Sequence, residues 1–533
     1  MLSQKEKKGG ETIRPDLAEV KERHAFGLDE CRPEAVAVRK SRNQRTARAY
    51  IQELYDPDSF IEYGALAIAA QRGRRSEEEL IRKTPADGLI AGVGLVNSSF
   101  FAEEQARCMA LAYDYTVLAG TQGFFNHKKM DRMLKLACDH RLPVVLFAEG
   151  GGGRPGDIDK DRIRSTGLDL NTFSAFGRLS GLVPVVGVVT GYCFAGNAAL
   201  LGCCDCIIAT RNANIGMAGP VMIEGGGLGV FRPEEIGPLE EQMHNGVVDI
   251  AVVDDREAVA MTKRYLSYFQ GSLSQWEAAD QTRLRGLIPE NRRRIYDIAA
   301  VVETLADRGS YLELRPSFSP GIVTGLIRIE GRPFGVIANN CKHMGGAIEA
   351  EGADKVVRHM QLCNAHGLPI LCLCDTPGFM VGPDVERRAH VRHCGRMFVI
   401  GAHLTVPYFT VVLRRGYGLG AMAMARGGFH DSFFTVAWPT GEFGGMGLEG
   451  AVKAGFRREL AAVEDPGERQ VLYDRLLADL YERGKAVNVA SRLEIDAVID
   501  PADTRQWVLR GLAQATLPRD RRERSCQPLV DPW

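Results

Sequence analysis

Glycine-rich turns carry most of the chemistry that this sequence of 533 residues offers. The first kind is Gly191-Tyr192-Cys193-Phe194-Ala195-Gly196-Asn197, with a counterpart in Gly416-Tyr417-Gly418-Leu419-Gly420-Ala421-Met422. Each places small residues where a strand hands over to a helix. The first N–H groups of a helix have no internal acceptor and sit at the positive end of its dipole. Such a turn can therefore hold a developing oxyanion without any charged side chain. Either turn alone reads equally as a tight helix start that needs glycine only for sterics. Its occurrence at two matched positions favours two functional sites.

A second kind follows short apolar runs that read as buried strands: Glu149 to Asp157 with the glycine run Gly150-Gly151-Gly152-Gly153, and Asp375-Thr376-Pro377-Gly378-Phe379. Loops at the carboxyl ends of parallel strands line clefts, although a mobile surface loop accounts for the glycine run as well. No Gly-Lys-Ser/Thr ending follows, so this is not a phosphate loop. The third kind is Met217-Ala218-Gly219-Pro220 and Trp438-Pro439-Thr440-Gly441-Glu442, the latter running on to Glu449. Glu442 and Glu449 are candidate catalytic acids, but an acid at a helix start is more often a cap or dipole partner. No Gly-x-Ser-x-Gly nucleophile occurs, and His127, His343 and His430 have no partner visible in the sequence. The chain is rich in backbone-amide sites and poor in side-chain catalysts.

The elements that must position these turns occur twice. His140-Arg-Leu-Pro-Val-Val-Leu-Phe-Ala-Glu149 returns as His366-Gly-Leu-Pro-Ile-Leu-Cys-Leu-Cys-Asp375, and the segment from Val183 returns from Val406. Asp56 to Glu62 is echoed by Asp307 to Glu313, and the segment from Asn214 more weakly from Glu442. An ordered series of matches is a duplication. Residues 89–96 and 322–329 read as strands, each followed by an amphipathic helix and then the Leu-Pro strand. Strands alternating with helices predict an α/β fold with a mainly parallel sheet and right-handed crossovers. The predicted organisation is a flexible tail over 1–35, a first half over 36–288 and a second over 289–533, with the junction near Arg292–Arg294.

A net charge of −1 offers no global field for nucleic acid or an anionic membrane surface. No apolar run approaches the roughly 18 residues of a membrane span, and the first residues lack the apolar core of a signal peptide. The 13 cysteines lie mostly in apolar runs, which fits buried thiols in a reducing, cytoplasmic compartment. Cys203 and Cys206 have CxxC spacing without a second pair, so no metal is expected.

From about Arg45 onward the chain resembles the carboxyltransferase (beta) subunits of biotin-dependent acyl-CoA carboxylases of the propionyl- and methylcrotonyl-CoA group. The resemblance rests on TARAYIQELYDPDSFIEYG, TPADGLIAGVG, GYCFAGNAA, DTPGFMVG, GYGLGAM, WPTGEFGGMGLEGAV and IDAVIDPADTR. It implies two tandem crotonase-like halves and an active site between the N-half of one subunit and the C-half of another, usually in a trimer of dimers. It further implies carboxybiotin on a carrier protein, a biotin carboxylase or fused alpha subunit as partner, and an acyl-CoA as substrate. By position, Gly196 and Asn197 would hold the thioester oxygen, and Leu419 and Gly420 the biotin carbonyl. Gly151, Gly152, Ala195, Tyr417, Gly418, Met422, Gly378 and Phe379 would line the substrates. Biotin's own ring nitrogen would take the α-proton, which suits the missing side-chain base. The chain departs from its relatives at Gly196-Asn197, where Gly-Gly is common, and in the Glu149–Gly156 loop. Met422 stands where relatives select the acyl chain. A decarboxylase or transcarboxylase subunit would use the same residues. A crotonase-type hydratase or isomerase is disfavoured by the duplication, and a non-catalytic scaffold subunit stays open through the altered loops.

Overall fold

Short connections fix the leading edge of each sheet. Only Glu330 and Gly331 join Ile322–Ile329 to Arg332–Asn339, and a parallel pair needs a crossover of a dozen residues or more, so this pair is antiparallel. The computed structural model describes residues 13–159, 166–516 and 528–533. Its first sheet is seven-stranded, in the spatial order Ile61–Glu62, Leu89–Leu95, Arg107–Tyr113, Val144–Phe147, Val185–Val189, Cys206–Thr210 and Ile250–Val252. The first two pairings are antiparallel and the rest parallel. The second sheet repeats this along Leu312–Leu314, Ile322–Ile329, Arg332–Asn339, Ile370–Thr376, Tyr408–Tyr417, Phe434–Ala437 and Ala497–Val498. An eighth strand, Glu442–Gly444, pairs with the far end of Tyr408–Tyr417. The predicted parallel sheet is thus found from the third strand of each half onward. Its central strands are buried along their whole length, as strands covered on both faces are.

The predicted amphipathic helices are Phe124–His140 and Ala350–His366, 17 residues each. Both end in the left-handed region, at Gly367 with φ +72° and at Arg141 with φ +52°. Glycine adopts that conformation freely, whereas an arginine is strained there.

The halves are joined through buried charge. Asp249, at the end of the first half, accepts from the Arg315 side chain (2.8 Å) and from the Ile207 N–H (2.8 Å), with the Arg358 guanidinium 3.7 Å away. His366 meets Asp205 at 3.1 Å across the same boundary. Ser180 and Val530 exchange hydrogen bonds of 2.8 and 3.0 Å, so the last residues lie against the first half.

The flexible tail read over 1–35 needs correction. Residues 1–12 lie outside the described residues, but Pro15–Ala25 is a helix, with Pro15 at its first position, Asp16 in its first turn and Arg23 and His24 in its last. Arg32 then pairs with Asp114 at 2.7 Å, anchoring the segment to the first half.

Two stability measurements follow. Arg141→Gly relieves a left-handed arginine and is expected to raise stability by about 1 kcal/mol in denaturant unfolding; a loss would show that the Arg141 side chain contributes more than its backbone strain. Asp249→Ala leaves two guanidiniums buried without their acid and is expected to cost on the order of 3–5 kcal/mol.

Candidate active site: two backbone-amide turns

In the first half, the short strand Tyr192–Phe194 pairs in parallel with Asn214–Gly216 and then turns sharply at Ala195, whose φ is +53°. The Ala195 N–H is occupied by the Gly216 carbonyl at 3.0 Å. The helix Gly196–Gly202 begins at once, so the N–H groups of Gly196 and Asn197 stand in its first turn, where no intrahelical acceptor exists. The neighbouring loop presses on this turn. A Cβ on Gly152 (φ +82°) would come 2.6 Å from the Ala195 Cβ and 3.1 Å from the Gly196 nitrogen. A Cβ on Gly196 would come 2.3 Å from the Gln122 Oε1, while Gly151 has nothing nearer than Thr121 at 3.8 Å.

Asn197 also has a side-chain role beside its backbone amide. Its side chain is fully buried and donates to the carbonyls of Gly120 (3.2 Å) and Glu149 (3.1 Å). It ties the helix start to two loops at once and leaves only its backbone N–H to face a ligand. Below it, both oxygens of Glu149 accept from Arg39, at 2.6 and 2.9 Å. Burial pushes the Glu149 carboxyl above its usual range, and Arg39 only partly offsets this.

The second half builds the same turn at Gly418 (φ +59°) and the helix Gly418–Met424. A Cβ on Gly420 would come 2.7 Å from the Gly378 backbone and from the Phe379 nitrogen. Gly378 itself, at φ +117°, is held by the Thr376 hydroxyl, which accepts its N–H at 3.1 Å and donates to the Gly346 carbonyl at 2.7 Å. Leu419 and Met422 are 62% and 37% exposed, and Met422 lines a cleft beside the turn. Phe379 packs edge-on against His390 and Phe398. Tyr417 is buried, and its hydroxyl donates to Glu442 at 3.0 Å; it lines a cleft with Arg292, Glu442, Glu449 and Tyr481. Beneath lies Asp375, bound to Arg414 (2.8 Å), Arg415 (2.8 Å) and the Tyr296 hydroxyl (2.9 Å).

The strand registers correct the sequence match between the turns. Tyr192, Cys193 and Phe194 pair with Asn214, Ile215 and Gly216; Arg415, Gly416 and Tyr417 pair with Glu442, Phe443 and Gly444. The two Gly-Tyr pairs are therefore out of step by two residues. The equivalent positions are Ala195 and Gly418, both with positive φ, then Gly196 with Leu419 and Asn197 with Gly420. Of the candidate acids, Glu442 starts a strand, not a helix, and is paired with Arg292 at 2.9 Å. Glu449 lies in the first turn of the helix Leu448–Gly455 and accepts from the Tyr481 hydroxyl at 2.8 Å. His127 does have a partner, Thr172 at 3.0 Å. Gln122, Gly120 and Arg39 shape the first turn and were not singled out in the sequence, because none belongs to a glycine-turn motif.

Asp375 sets a pH dependence. Burial alone would raise its carboxyl, but Arg415 and Arg414 outweigh burial and hold it below the usual range. A depressed acid contributes stability above the ordinary carboxylate range and loses it as pH falls through the folded value. Asp375→Asn should therefore be less stable at neutral pH, by on the order of 3–5 kcal/mol, with a flatter decline towards acid. Thermal unfolding from about pH 2 to pH 7 reads both; an equally steep decline in the variant would place the acid sensitivity elsewhere.

The carboxyl transferase domain family matches residues 39–525. The biotin-dependent acetyl-/propionyl-coenzyme A carboxylase beta6 subunit of Mycobacterium bovis is 31% identical, over 83% of this chain and 92% of its own length. Among solved structures, a single-chain, multi-domain long-chain acyl-CoA carboxylase superposes with a TM-score of 0.88 at 58% identity; the match covers 94% of this chain and 49% of that one, so this chain spans about half its length. The transcarboxylase 12S hexamer, solved with methylmalonyl-coenzyme A bound, superposes with a TM-score of 0.82 at 27% identity, over 97% of this chain and 99% of that one. With two crotonase-like halves and a family match over residues 39–525, the chain belongs to the carboxyl transferase domain family.

Proposed function

We propose that this chain transfers a carboxyl group to the α (or vinylogous) carbon of an acyl-CoA, as the carboxyltransferase of a biotin-dependent acyl-CoA carboxylase. The observation that carries the reading is the pair of equivalent turns with unoccupied first-turn amides, one per half. In the first, the N–H groups of Gly196 and Asn197 hold the thioester oxygen, so that negative charge arriving there as the α-carbon loses its proton is stabilised by fixed dipoles. In the second, the N–H groups of Leu419 and Gly420 hold the biotin carbonyl. The fit is supported by the cradle at Gly420, which the backbone of Gly378 and Phe379 closes so tightly that only glycine can stand there. Carboxybiotin, when bound, supplies the carboxyl group and a ring nitrogen able to accept the α-proton. No side chain of this protein is then required as the base.

The 58% identity to a long-chain acyl-CoA carboxylase favours a long acyl chain. A cleft of about 770 Å³ beside Gly418 has an apolar wall of Met422, Phe429, Phe443, Leu448, Leu480 and Val489 to receive one, beside the charged and polar His430, Asp431, Arg483, Arg492 and Glu494. The partners are a biotin carboxylase and a biotin carrier, as separate proteins or a fused alpha subunit, in the cytoplasm; the described cysteines are all free thiols. The assembly is a trimer of dimers. Met217, Val221, Met222, Leu228 and Val230 are each more than half exposed in one chain, and an apolar surface of this kind marks an interface. Transfer between two thioesters is the second reading, favoured by the likeness to the transcarboxylase 12S structure.

Reconstitution with biotin carboxylase, carrier, ATP and bicarbonate across a panel of acyl-CoAs tests the reading; turnover without biotin, or none, overturns it. Gly196→Ala and Gly420→Ala should each lower carboxylation by on the order of 100- to 1000-fold. Calorimetry with a non-hydrolysable acyl-CoA separates their roles: Gly196→Ala should weaken binding and Gly420→Ala should not. The opposite pattern means that the two turns have exchanged ligands. Light scattering at micromolar concentration should show an oligomer, and a predominant 58.4 kDa species would exclude the shared site.

A further inference from the structure

The backbone beside each turn lets the two halves be compared residue by residue. Gln122 donates its N–H to the Gly152 carbonyl at 2.7 Å and accepts from the Arg154 N–H at 2.9 Å. In the second half Ile348 makes the same pair of bonds, donating to Gly378 at 3.1 Å and accepting from Met380 at 2.9 Å. Each forms an isolated parallel bridge to the loop that frames its turn, Gln122 to Gly153 and Ile348 to Phe379. Each also follows a left-handed glycine by two residues, Gly120 at φ +64° and Gly346 at φ +83°. Gln122 and Ile348 are therefore equivalent positions, one polar and one aliphatic.

Ile348 is fully buried in the core. Gln122 is only 4% exposed, and an amide buried to that extent costs free energy unless its polar atoms find partners. One end does, because Nε2 donates to the Tyr113 hydroxyl at 3.1 Å. The other end, Oε1, has no hydrogen-bond partner among the described residues, and it lies 2.3 Å from the place a Cβ on Gly196 would take. Gly196 is half-buried and carries the first of the two free amides. An unpartnered amide end thus faces the first turn, where the second half has an isoleucine that can offer no polar atom.

A hydroxyl donates as readily as it accepts. The Gln122 amide can exchange its two ends and keep its bond to Tyr113, whose hydroxyl then donates to Oε1, and its NH2 group is brought to the turn. Burial holds the Tyr113 phenol above its usual range, so the hydroxyl keeps its proton for that bond. A carbonyl oxygen beside an oxyanion repels it, whereas an N–H stabilises it, so charge arriving in the turn selects the donor orientation.

We propose that the side-chain amide of Gln122 is a third donor to the thioester oxygen, acting with the N–H groups of Gly196 and Asn197 as negative charge develops. The proposal rests on the reading that the first half takes the thioester. It makes Gln122 a catalytic residue of that half alone, and it accounts for a buried amide at a position the second half fills with an aliphatic side chain.

Steady-state kinetics, with carboxylated biotin carrier in excess, compare Gln122→Leu, which removes both polar ends, with Gln122→Glu, which keeps an acceptor of the same length and, ionised, has no donor. Each should lower kcat by on the order of 100-fold. KM for the acyl-CoA should stay near that of the unmodified protein, because the bond is weak to the neutral thioester and strengthens with charge. A kcat retained in either variant overturns the assignment. A KM raised in Gln122→Leu and restored in Gln122→Glu would make the side chain an acceptor for the substrate, and overturns it as well. Infrared spectroscopy of bound acyl-CoA, isotope-labelled at the thioester carbonyl, gives a reading independent of turnover. The carbonyl stretch should lie at higher frequency in Gln122→Leu than in the unmodified protein, and equal frequencies refute a third donor. If the unmodified protein carboxylates no acyl-CoA, the proposed function falls, and the infrared comparison still decides the role of Gln122.

Discussion

Each of the two amide turns is framed by a segment that approaches more closely than a Cβ permits. This constraint is met twice here, and much of the architecture follows from it. Gly420 lies against the backbone of Gly378 and Phe379; Gly152 lies against Ala195 and the Gly196 nitrogen. Such contacts have no side chains to interlock, so the loops must be held from below. Each loop follows a buried strand that ends in an acid, Glu149 or Asp375, and each acid is bound by arginine. In the second half those arginines come from the adjacent strand, as Arg414 and Arg415. In the first half the arginine is Arg39, from the helix Pro33–Ser41. The first site therefore depends on a segment that precedes the first sheet, and this gives the order of that segment a purpose beyond covering the core.

The scarcity of side-chain catalysts follows from the same design. Fixed N–H dipoles cost no reorganisation when charge develops, and they have no protonation state to lose as pH changes. The acids that the sequence offers near the second turn are occupied in support. Glu442 joins the Tyr417 hydroxyl to Arg292, Arg292 stacks on the Tyr481 ring at 3.7 Å, and the Tyr481 hydroxyl reaches Glu449. That chain links the turn to the junction between halves and to the helix Pro466–Gly484.

Much of this was legible in the sequence because duplication and periodicity are local signals. The Leu-Pro strands, the paired helices and the glycine turns were readable from residue type and spacing alone. What escaped were long-range pairings with no periodic signature. Arg39 and Glu149 lie far apart in the chain, and nothing near either residue announces the other. The same holds for Gln122 against Gly196 and for Arg32 with Asp114. The expectation of a mainly parallel sheet did not say which strands would be antiparallel, because composition marks a strand without giving its direction; the two-residue connection at Glu330-Gly331 carried that information.

The out-of-step Gly-Tyr pairs show what such matching can conceal. A shared dipeptide aligned Gly191 with Gly416, but the strand registers align Gly196 with Leu419 and Asn197 with Gly420. The backbone is conserved between halves while the crowding is not. In the first turn glycine stands at the first amide, where Gln122 closes in, and the second position carries the buried Asn197. In the second turn the first amide carries the exposed Leu419, and glycine stands at the second, against Gly378. The open side of the cradle thus differs between halves although the donors are equivalent. Two copies of one turn, each narrowed at a different amide, are suited to two ligands of different shape. The proposed division of labour, thioester in one half and biotin in the other, requires such a difference and cannot arise from glycine content alone.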